Sequence, residues 1–226
     1  MKVELTIPDN LNEITLGQYQ EFVKAQEENT DAFFISQKLV SIFCQIPMSN
    51  VMHIPVTEVE YIVDKIGNMF LKQHSFVNQF ELGGKKFGFI PNMEEISLGE
   101  YIDLEANIGD LSNYHKAMAV MYRPITESAK DTYLIEQYEG TANYSEVMKF
   151  APVSIALGAQ VFFWTLKKDL IKALIVYLEK AEKGLTNSAK QRNLVKDGDG
   201  INLSISSLKE MYLGLKMSPV QVSLNV

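Results

Sequence analysis

The sequence predicts a mainly α-helical fold of the α+β class, in which a helical domain carries a small β-hairpin and a C-terminal extension. Of the 226 residues, 46% are hydrophobic and 22% are charged, which is ordinary for a globular protein with a sizeable core. Several long segments repeat apolar residues at helical spacing. A Gly-Gly pair separates two short alternating runs, which is typical of a hairpin.

The first predicted unit covers residues 1–75 and combines one strand with several helices. The alternating run 2–7 predicts the strand, and helices are expected at 16–26, 32–44 and 58–72. The last of these helices carries apolar residues along one face, which predicts that it packs against the others. These residues are Val59, Ile62, Val63, Ile66, Met69 and Phe70.

The second predicted unit covers residues 76–196 and opens with the hairpin, whose turn is Gly83-Gly84. The helix predicted at 111–122 is expected to end before Pro124, because the residue before a proline is pushed out of the helical conformation. The predicted elements are strands at 76–82 and 85–90, helices at 98–107 and 111–122, a polar loop with one short element at 131–144, and a long helix that begins at Ser145 or at Ala151-Pro152.

Residues 197–226 have the pattern of an arm, with a turn, a short strand at 201–205, an amphipathic helix at 206–216 and an uncharged end. Such arms dock on a neighbouring subunit, although the sequence equally allows this one to pack on its own domain. Arg123 is one of only two arginines, and it is suited to an ion pair at a packing corner or at an interface. The predicted interface residues are Arg123, Leu208, Met211, Tyr212, Leu215, Val220 and Val222.

An internal repeat links the two predicted units. Residues 14–22 resemble residues 96–104, with the Ile, Leu, Gly and Tyr identical and most other pairs conservative. The match extends back to Asn10 and Asn92. A repeat of this kind indicates two related halves, or a module that was copied early.

The repeated residues are suited to starting a helix. Thr15 and Ser97 are good N-caps, and the side chains three residues later, Gln18 and Glu100, complete a capping box in each case. We interpret the repeat as a helix-start device that is used twice. A binding motif is the alternative interpretation.

No catalytic residue, cofactor site or metal site is predicted. His53, His74 and His115 lie far apart, and none has the spacing of a metal site. His115 falls on a predicted helix and is expected at the surface. The single cysteine, Cys44, lies in an apolar stretch where a buried structural thiol is usual, and it cannot form a disulfide within the chain. We therefore expect a protein that is not an enzyme.

The net charge argues against one class of partner. A formal charge of −7 and a pI of about 5.1 disfavour binding to phosphate backbones, so no specific nucleic acid is expected as a partner. Residues 150–166 carry no charge, but they contain polar residues and a proline. A spanning helix needs about 20 mostly apolar residues, so a buried helix is expected there and no membrane partner is predicted.

Several stretches together resemble proteins from tailed phages of Bacteroidetes, the crAss-like group and its relatives. The resemblance lies in the order and spacing of these stretches, and it includes no catalytic signature. They are Phe87–Asn92 leading into Ile96–Leu104, His115–Met118 to Met121–Ile125, Tyr138–Thr141, Phe162–Trp164 with Leu166, and Asp197–Ile201.

This resemblance implies a virion component or assembly factor without enzyme activity, made in the host cytoplasm. One implied role is a ring or connector subunit in the portal-tail assembly, which forms a homo-oligomer and contacts portal, ring or tail subunits. The other is a tail assembly chaperone that is absent from the mature virion, because the helix-turn-helix at 39–70 is similar to what such chaperones carry.

A hypothesis from another class is an intracellular protein that binds a small molecule. Its pocket would be lined by scattered aromatic side chains, although such residues are more often part of a core. The aromatic residues in question are Tyr101, Tyr114, Tyr122, Tyr133, Tyr138 and Trp164.

Overall fold

The structure is a computed structural model, and it describes residues 5–130, 132–186 and 206–211. The predicted fold class is confirmed, since the described chain is mainly helical with one small antiparallel sheet. The described residues form two compact units, 5–159 and 160–186 with 206–211. The predicted divisions near residues 75 and 196 stay predictions.

Helices form the first part of the larger unit, and their bounds are α1 Leu16–Glu28, α2 Ala32–Phe43, α3 Met48–Val51 and α4 Val56–Phe70. The side chain of Asp31 caps α2 by accepting from the backbone N–H groups of Phe33 and Phe34. The apolar face of α4 is buried as its spacing predicts, with Ile62 and Ile66 almost fully covered.

The strand predicted at 2–7 is not found in the part of that range that the structure describes. Residues 5–7 belong to no strand, and residues 2–4 lie outside the described residues. A strand requires a partner for its backbone hydrogen bonds, and alternation alone does not supply one.

The sheet is antiparallel throughout, with strand order β1-β2-β3-β4. Its strands are β1 Gln79–Leu82, β2 Lys85–Phe89, β3 Tyr122–Ala129 and β4 Thr132–Ile135. The predicted hairpin is confirmed, because β1 and β2 pair directly and Gly83 and Gly84 have φ values of 58° and 75°. Positive φ at both central residues is what a tight hairpin turn of this kind requires.

The strands β3 and β4 were not predicted. The helix predicted at 111–122 is shorter in the structure. It consists of a 3-10 turn, Leu111–Asn113, followed by α6, Tyr114–Met121, and β3 begins at the next residue. The predicted loop 131–144 contains β4 and a 3-10 turn, Thr141–Asn143.

Pro124 explains the missed strand, because it is the third residue of β3. A proline is normally excluded from a central strand, since it cannot donate to the ladder. Here the Pro124 carbonyl accepts from the N–H of Glu136 at 2.9 Å. In an extended strand, the nitrogen and the carbonyl of one residue point to the same side, so the Pro124 nitrogen also faces the chain just beyond the end of β4. The missing N–H therefore removes no hydrogen bond to β2.

The remaining helices are α5 Leu98–Ile108, α7 Ser145–Met148 and α8 Val153–Thr186, with a 3-10 turn at Met93–Glu95 and a helical segment at 206–211. The buried helix predicted at 150–166 is confirmed only in part, since residues 155–160 of α8 are buried, whereas Phe150 lies before the helix and is 70% exposed and Leu166 is 43% exposed. Gly158 allows a close approach there, since a Cβ atom would lie 2.3 Å from the Ser75 carbonyl oxygen. No helix among the described residues is both long enough and apolar enough to cross a membrane.

Candidate interaction surface

The two repeats have the same local structure, and we call residues 10–22 the first repeat and residues 92–104 the second repeat. In each, the Asn side chain accepts a hydrogen bond from the backbone N–H two residues later, at 2.9 Å for Asn10 and 3.0 Å for Asn92. The following helix begins with a complete capping box in both cases. The predicted helix-start device is therefore confirmed in both repeats.

In the first repeat, another segment of the chain covers the helix start. Thr15 forms an antiparallel bridge with Pro152. The N–H groups of Leu16 and Gly17 lie in the first turn of the helix, where they have no partner within the helix, and the covering segment supplies one for each. The three backbone bonds are Leu16 N–H to Ala151 O at 2.8 Å, Gly17 N–H to Lys149 O at 2.7 Å, and Val153 N–H to Ile14 O at 2.8 Å.

The second repeat is open at the corresponding place. In the first repeat, residues 149–153 make backbone hydrogen bonds to the start of the helix. In the second repeat, no described residue makes the equivalent bonds to the N–H groups of Leu98 and Gly99 or to the carbonyl of Ile96. Leu98 is 74% exposed and Tyr101 51% exposed, whereas their counterparts Leu16 and Tyr19 are 1% and 8% exposed. Within the part of the chain that the structure describes, the same motif is thus covered in the first repeat and uncovered in the second.

Together, Leu98, Tyr101 and Ile102 form an apolar stripe on the outer side of α5. We define these three residues as the α5 stripe. Their spacing of three and four places them next to one another on the helix surface. Ile102, which is 54% exposed, replaces the buried Gln20 of the first repeat. A single exposed isoleucine is ordinary, but its position beside Leu98 and Tyr101 produces a contiguous exposed apolar row, which is not.

The inner side of α5 holds a buried ion pair. The Arg123 Nη2 of β3 donates to Glu100 Oε1 at 2.5 Å, and both side chains are less than one tenth exposed. Burial raises the pKa of Glu100, but hydrogen bonds from Ser97 and the charge of Arg123 outweigh it and leave the pKa below its usual value. Glu100 is therefore held in its charged form.

Tyr138 supports this ion pair from the side. Its ring lies under the Arg123 guanidinium, 5.5 Å from the guanidinium carbon to the ring centroid, and its hydroxyl donates to the carboxylate of Asp103. Burial raises the pKa of Tyr138, and its hydrogen bond to Asp103 acts in the same direction. The helix that carries the α5 stripe is thus joined to β3 through Glu100 and to the segment that follows β4 through Asp103.

The capping-box side chains differ between the repeats because their other partners differ. Gln18 completes its box with Oε1, and its Nε2 donates to the carbonyl of Ile42 on α2 at 2.9 Å. Glu100 completes its box with Oε2, and its other oxygen accepts from Arg123. An amide is suited to a carbonyl partner and a carboxylate to a guanidinium, which accounts for the Gln-to-Glu change.

The predicted interface residues are distributed as follows. Arg123 occupies the packing-corner position described above, and an additional role at an interface stays a prediction. In the smaller unit, Leu208 is half-buried and Met211 is 49% exposed. Nearby, Lys209 pairs with Glu179 of α8 at 2.7 Å. Tyr212, Leu215, Val220 and Val222 lie outside the described residues.

His115 is buried, so its expected surface position is wrong. Its Nδ1 lies 3.1 Å from Gln20 Nε2, which also donates to the carbonyl of Leu111 at 2.7 Å. Burial lowers the pKa of His115, and the nearby charge of Lys149 lowers it further. His115 therefore connects α6 with α1. The helical spacing of the sequence could not show which face of α6 is covered by α1.

Cys44 is buried as expected, and burial raises the pKa of its thiol to about 11, with Lys65 acting weakly in the opposite direction. Among the described residues, no group of three or more His, Cys, Asp or Glu side chains is arranged to hold a metal ion.

The six aromatic residues of the pocket hypothesis do not share one environment. Tyr114 and Tyr122 are fully buried in the larger unit, whereas Tyr101 points outward on α5. A groove of about 420 Å³ lies between α1 and α2, and its lining contains none of the six: Glu21, Lys24, Ala25, Glu28, Asn29, Phe34, Lys38 and Ile42.

Comparisons of the chain with protein-family models, with characterised proteins and with solved structures found no match.

Proposed function

We propose that this protein is a non-enzymatic subunit of a tailed-phage particle, in a ring or connector of the portal-tail assembly, and that it acts through protein-protein interfaces. The observation that carries the protein-protein part of this proposal is the α5 stripe, an exposed row of apolar side chains on a helix with a covered counterpart in the same chain. Contiguous exposed apolar groups of this kind are typical of protein-protein contact sites.

The energetics of the stripe favour a protein partner. Full burial of an exposed Leu or Ile side chain contributes about 1.5–3 kcal/mol, and Leu98 at 74% exposed and Ile102 at 54% exposed can contribute only the corresponding share of it. Tyr101 adds a residue type that is enriched at interfaces. The buried pair of Glu100 and Arg123 holds α5 in place, so little ordering is needed before a partner binds.

A ring or connector role is consistent with these features. Each subunit of a ring must present two complementary surfaces, one to each neighbour. The α5 stripe supplies one such surface, and the predicted arm at 197–226 is the proposed source of the other. The phage assignment itself rests on the resemblance in the order and spacing of the stretches from residue 87 to residue 201.

The test is quantitative mass spectrometry of purified mature particles, with the chain counted against the major capsid protein. We expect a constant copy number that matches a ring. Absence from particles, together with abundance in infected cells, would favour the tail assembly chaperone. If no particle contains or requires the chain, the phage assignment is wrong and screening for a stabilising small molecule becomes the next experiment.

A matched pair of variants connects the particle test to the α5 stripe. Ile102→Asp should prevent incorporation into particles, because it introduces a charge into the contact. Phe33→Asp changes a similarly exposed side chain, at 59%, on a different helix and should leave incorporation intact. Equal loss in both variants would remove the stripe from the proposed interface.

A further inference from the structure

The segment that covers the first repeat has a counterpart near the end of the chain. Residues 149–155 read Lys-Phe-Ala-Pro-Val-Ser-Ile, and residues 216–222 read Lys-Met-Ser-Pro-Val-Gln-Val. The Lys, Pro and Val are identical, and the Phe/Met, Ala/Ser and Ile/Val pairs keep their size class or their apolar character. The chain therefore contains two helix-start motifs and two segments of the type that covers one.

The shared residues are those that the covering contact requires. Alternate residues, 149, 151 and 153, make the three backbone bonds to the first repeat. Pro152 lies between two of them, where its lack of an N–H removes no bond. Ala151 and Val153 are completely buried, so a small residue and a branched apolar residue are needed there. Ser218 and Val220 meet those two requirements.

Gly17 shows how close this contact is. A Cβ atom on Gly17 would lie 3.1 Å from the carbonyl oxygen of Lys149 and 3.3 Å from its Cβ. At Gly99, the nearest atom is Tyr138 Cε1 at 3.8 Å, so the described residues leave room for a side chain. Within the described chain, a side chain at position 17 would crowd the covering segment and one at position 99 would not, so the glycine of the second repeat is accounted for if a covering segment also reaches it.

We propose that residues 216–222 of a second molecule dock on the second repeat in the way that residues 149–155 cover the first. The inference rests on the proposed assembly function and deepens it by naming a partner, which is another copy of this chain. The bonds that the repeat assigns are Leu98 N–H to Ser218 O, Gly99 N–H to Lys216 O, and Val220 N–H to Ile96 O.

No described residue of the same chain pairs with the start of α5, and the proposed ring function requires a contact between copies, so the occupant is assigned to a second molecule. Docking of one chain's end on the next chain's second repeat is a head-to-tail contact. Such contacts form rings when the rotation closes and filaments when it does not.

The test is disulfide cross-linking between two full-length variants. Gly17 and Lys149 provide the geometry, because their Cβ positions are 3.3 Å apart. A small shift between the segments accommodates a side chain at the glycine and also reaches the roughly 3.5–4.5 Å that a disulfide spans. A Gly99→Cys chain is mixed with a Lys216→Cys chain under mild oxidation. The dimer that contains one chain of each kind should exceed the control by on the order of ten-fold or more. The control replaces Gly99→Cys with Gly67→Cys, a glycine with open space around it on α4.

Two further variants separate the possible outcomes. Adding Val220→Asp to the Lys216→Cys chain should abolish the cross-link while leaving circular dichroism unchanged. A mixed dimer no more abundant than the Gly67→Cys control overturns the proposal. So does a Gly99→Cys, Lys216→Cys double variant that closes its disulfide within one chain at high dilution. The cross-linking results do not depend on the copy number of the chain in particles. The docking proposal and the proposed function can therefore fail independently of each other.

Discussion

Glu100 and Arg123 form a buried ion pair that joins the helix of the second repeat to β3, an inner strand of the sheet. The two side chains are 2.5 Å apart at their closest atoms, and the ring of Tyr138 covers the guanidinium. The outer side of the same helix carries the exposed α5 stripe. The helix α5 therefore buries a charged residue beside the apolar Leu104 and exposes an apolar row on its outer side.

Breaking the ion pair should strongly destabilise the larger unit. Arg123→Met leaves the Glu100 carboxylate buried without its cation, and removal of one partner of such a pair costs about 3–5 kcal/mol. The free energy of unfolding, measured by urea denaturation, should fall by that amount. Glu100→Gln combined with Arg123→Met should recover part of the loss, because no buried charge remains.

An exposed ion pair supplies the control for this experiment. Lys24 and Glu28 lie 3.8 Å apart on α1, and both side chains are about two-thirds exposed. Lys24→Met should change the free energy of unfolding by about 0.5 kcal/mol or less. If Arg123→Met costs no more than Lys24→Met, the buried pair does not anchor α5.

Local features of the fold were predictable from sequence. The Gly83-Gly84 turn and both capping boxes depend on residues within a few positions of one another, so the pattern alone identifies them. The strands β3 and β4 depend on more distant relationships. Pro124 is tolerated in β3 only because its nitrogen faces the end of β4, and that placement is not visible in the sequence.

The candidate surface was only partly predictable for the same reason. The repeat was evident, but the sequence does not indicate that residues 149–153 cover one copy and leave the other open. Arg123 could be singled out as a rare arginine, whereas its partner Glu100 lies in another element and is chosen by the tertiary fold. Helical spacing indicates which residues share a face and leaves open what that face contacts.

His115 should make stability depend on pH. Burial lowers its pKa below the usual 6.5, with Lys149 and Lys116 acting in the same direction and Glu146 and Asp110 opposing them. As the pH falls, the unfolded chain takes up a proton near pH 6.5 while the folded His115 does not. Its stabilising contribution is therefore complete above that pH and is lost as the pH falls toward the folded pKa.

The measurement is the free energy of unfolding at pH 7.5 and pH 5.5, in the wild type and in His115→Asn. The asparagine oxygen can still accept the hydrogen bond from Gln20 but does not titrate. The wild type should lose more stability over this interval than the variant. His74, whose pKa is also lowered by burial, should account for part of the dependence that remains in the variant. Equal losses in both proteins would show that His115 is protonated without penalty.

Two helical glycines should respond in opposite directions to the same substitution. Gly158→Ala places a methyl group 2.3 Å from the carbonyl oxygen of Ser75, and a backbone atom cannot move aside easily. The cost should be about 1–3 kcal/mol or more. Gly67→Ala on α4 meets nothing within 4 Å and should stabilise the protein by up to about 1 kcal/mol through its better helix propensity. Thermal and urea unfolding of both variants check the signs, and destabilisation by Gly67→Ala would contradict the open surroundings of that position.

The equivalent glycines of the two repeats provide the last comparison. Gly17→Ala brings a methyl group to 3.1 Å from the carbonyl oxygen of Lys149, so residues 149–153 must shift and the free energy of unfolding should fall by about 1–3 kcal/mol. Gly99→Ala has its nearest neighbour at 3.8 Å, so in the separated chain it should be neutral or stabilising by up to about 1 kcal/mol. The measurement is urea denaturation at protein concentrations low enough to prevent association. A loss of similar size at both positions would mean that the second repeat is already covered within the single chain, and the contrast between the two helix starts would no longer hold.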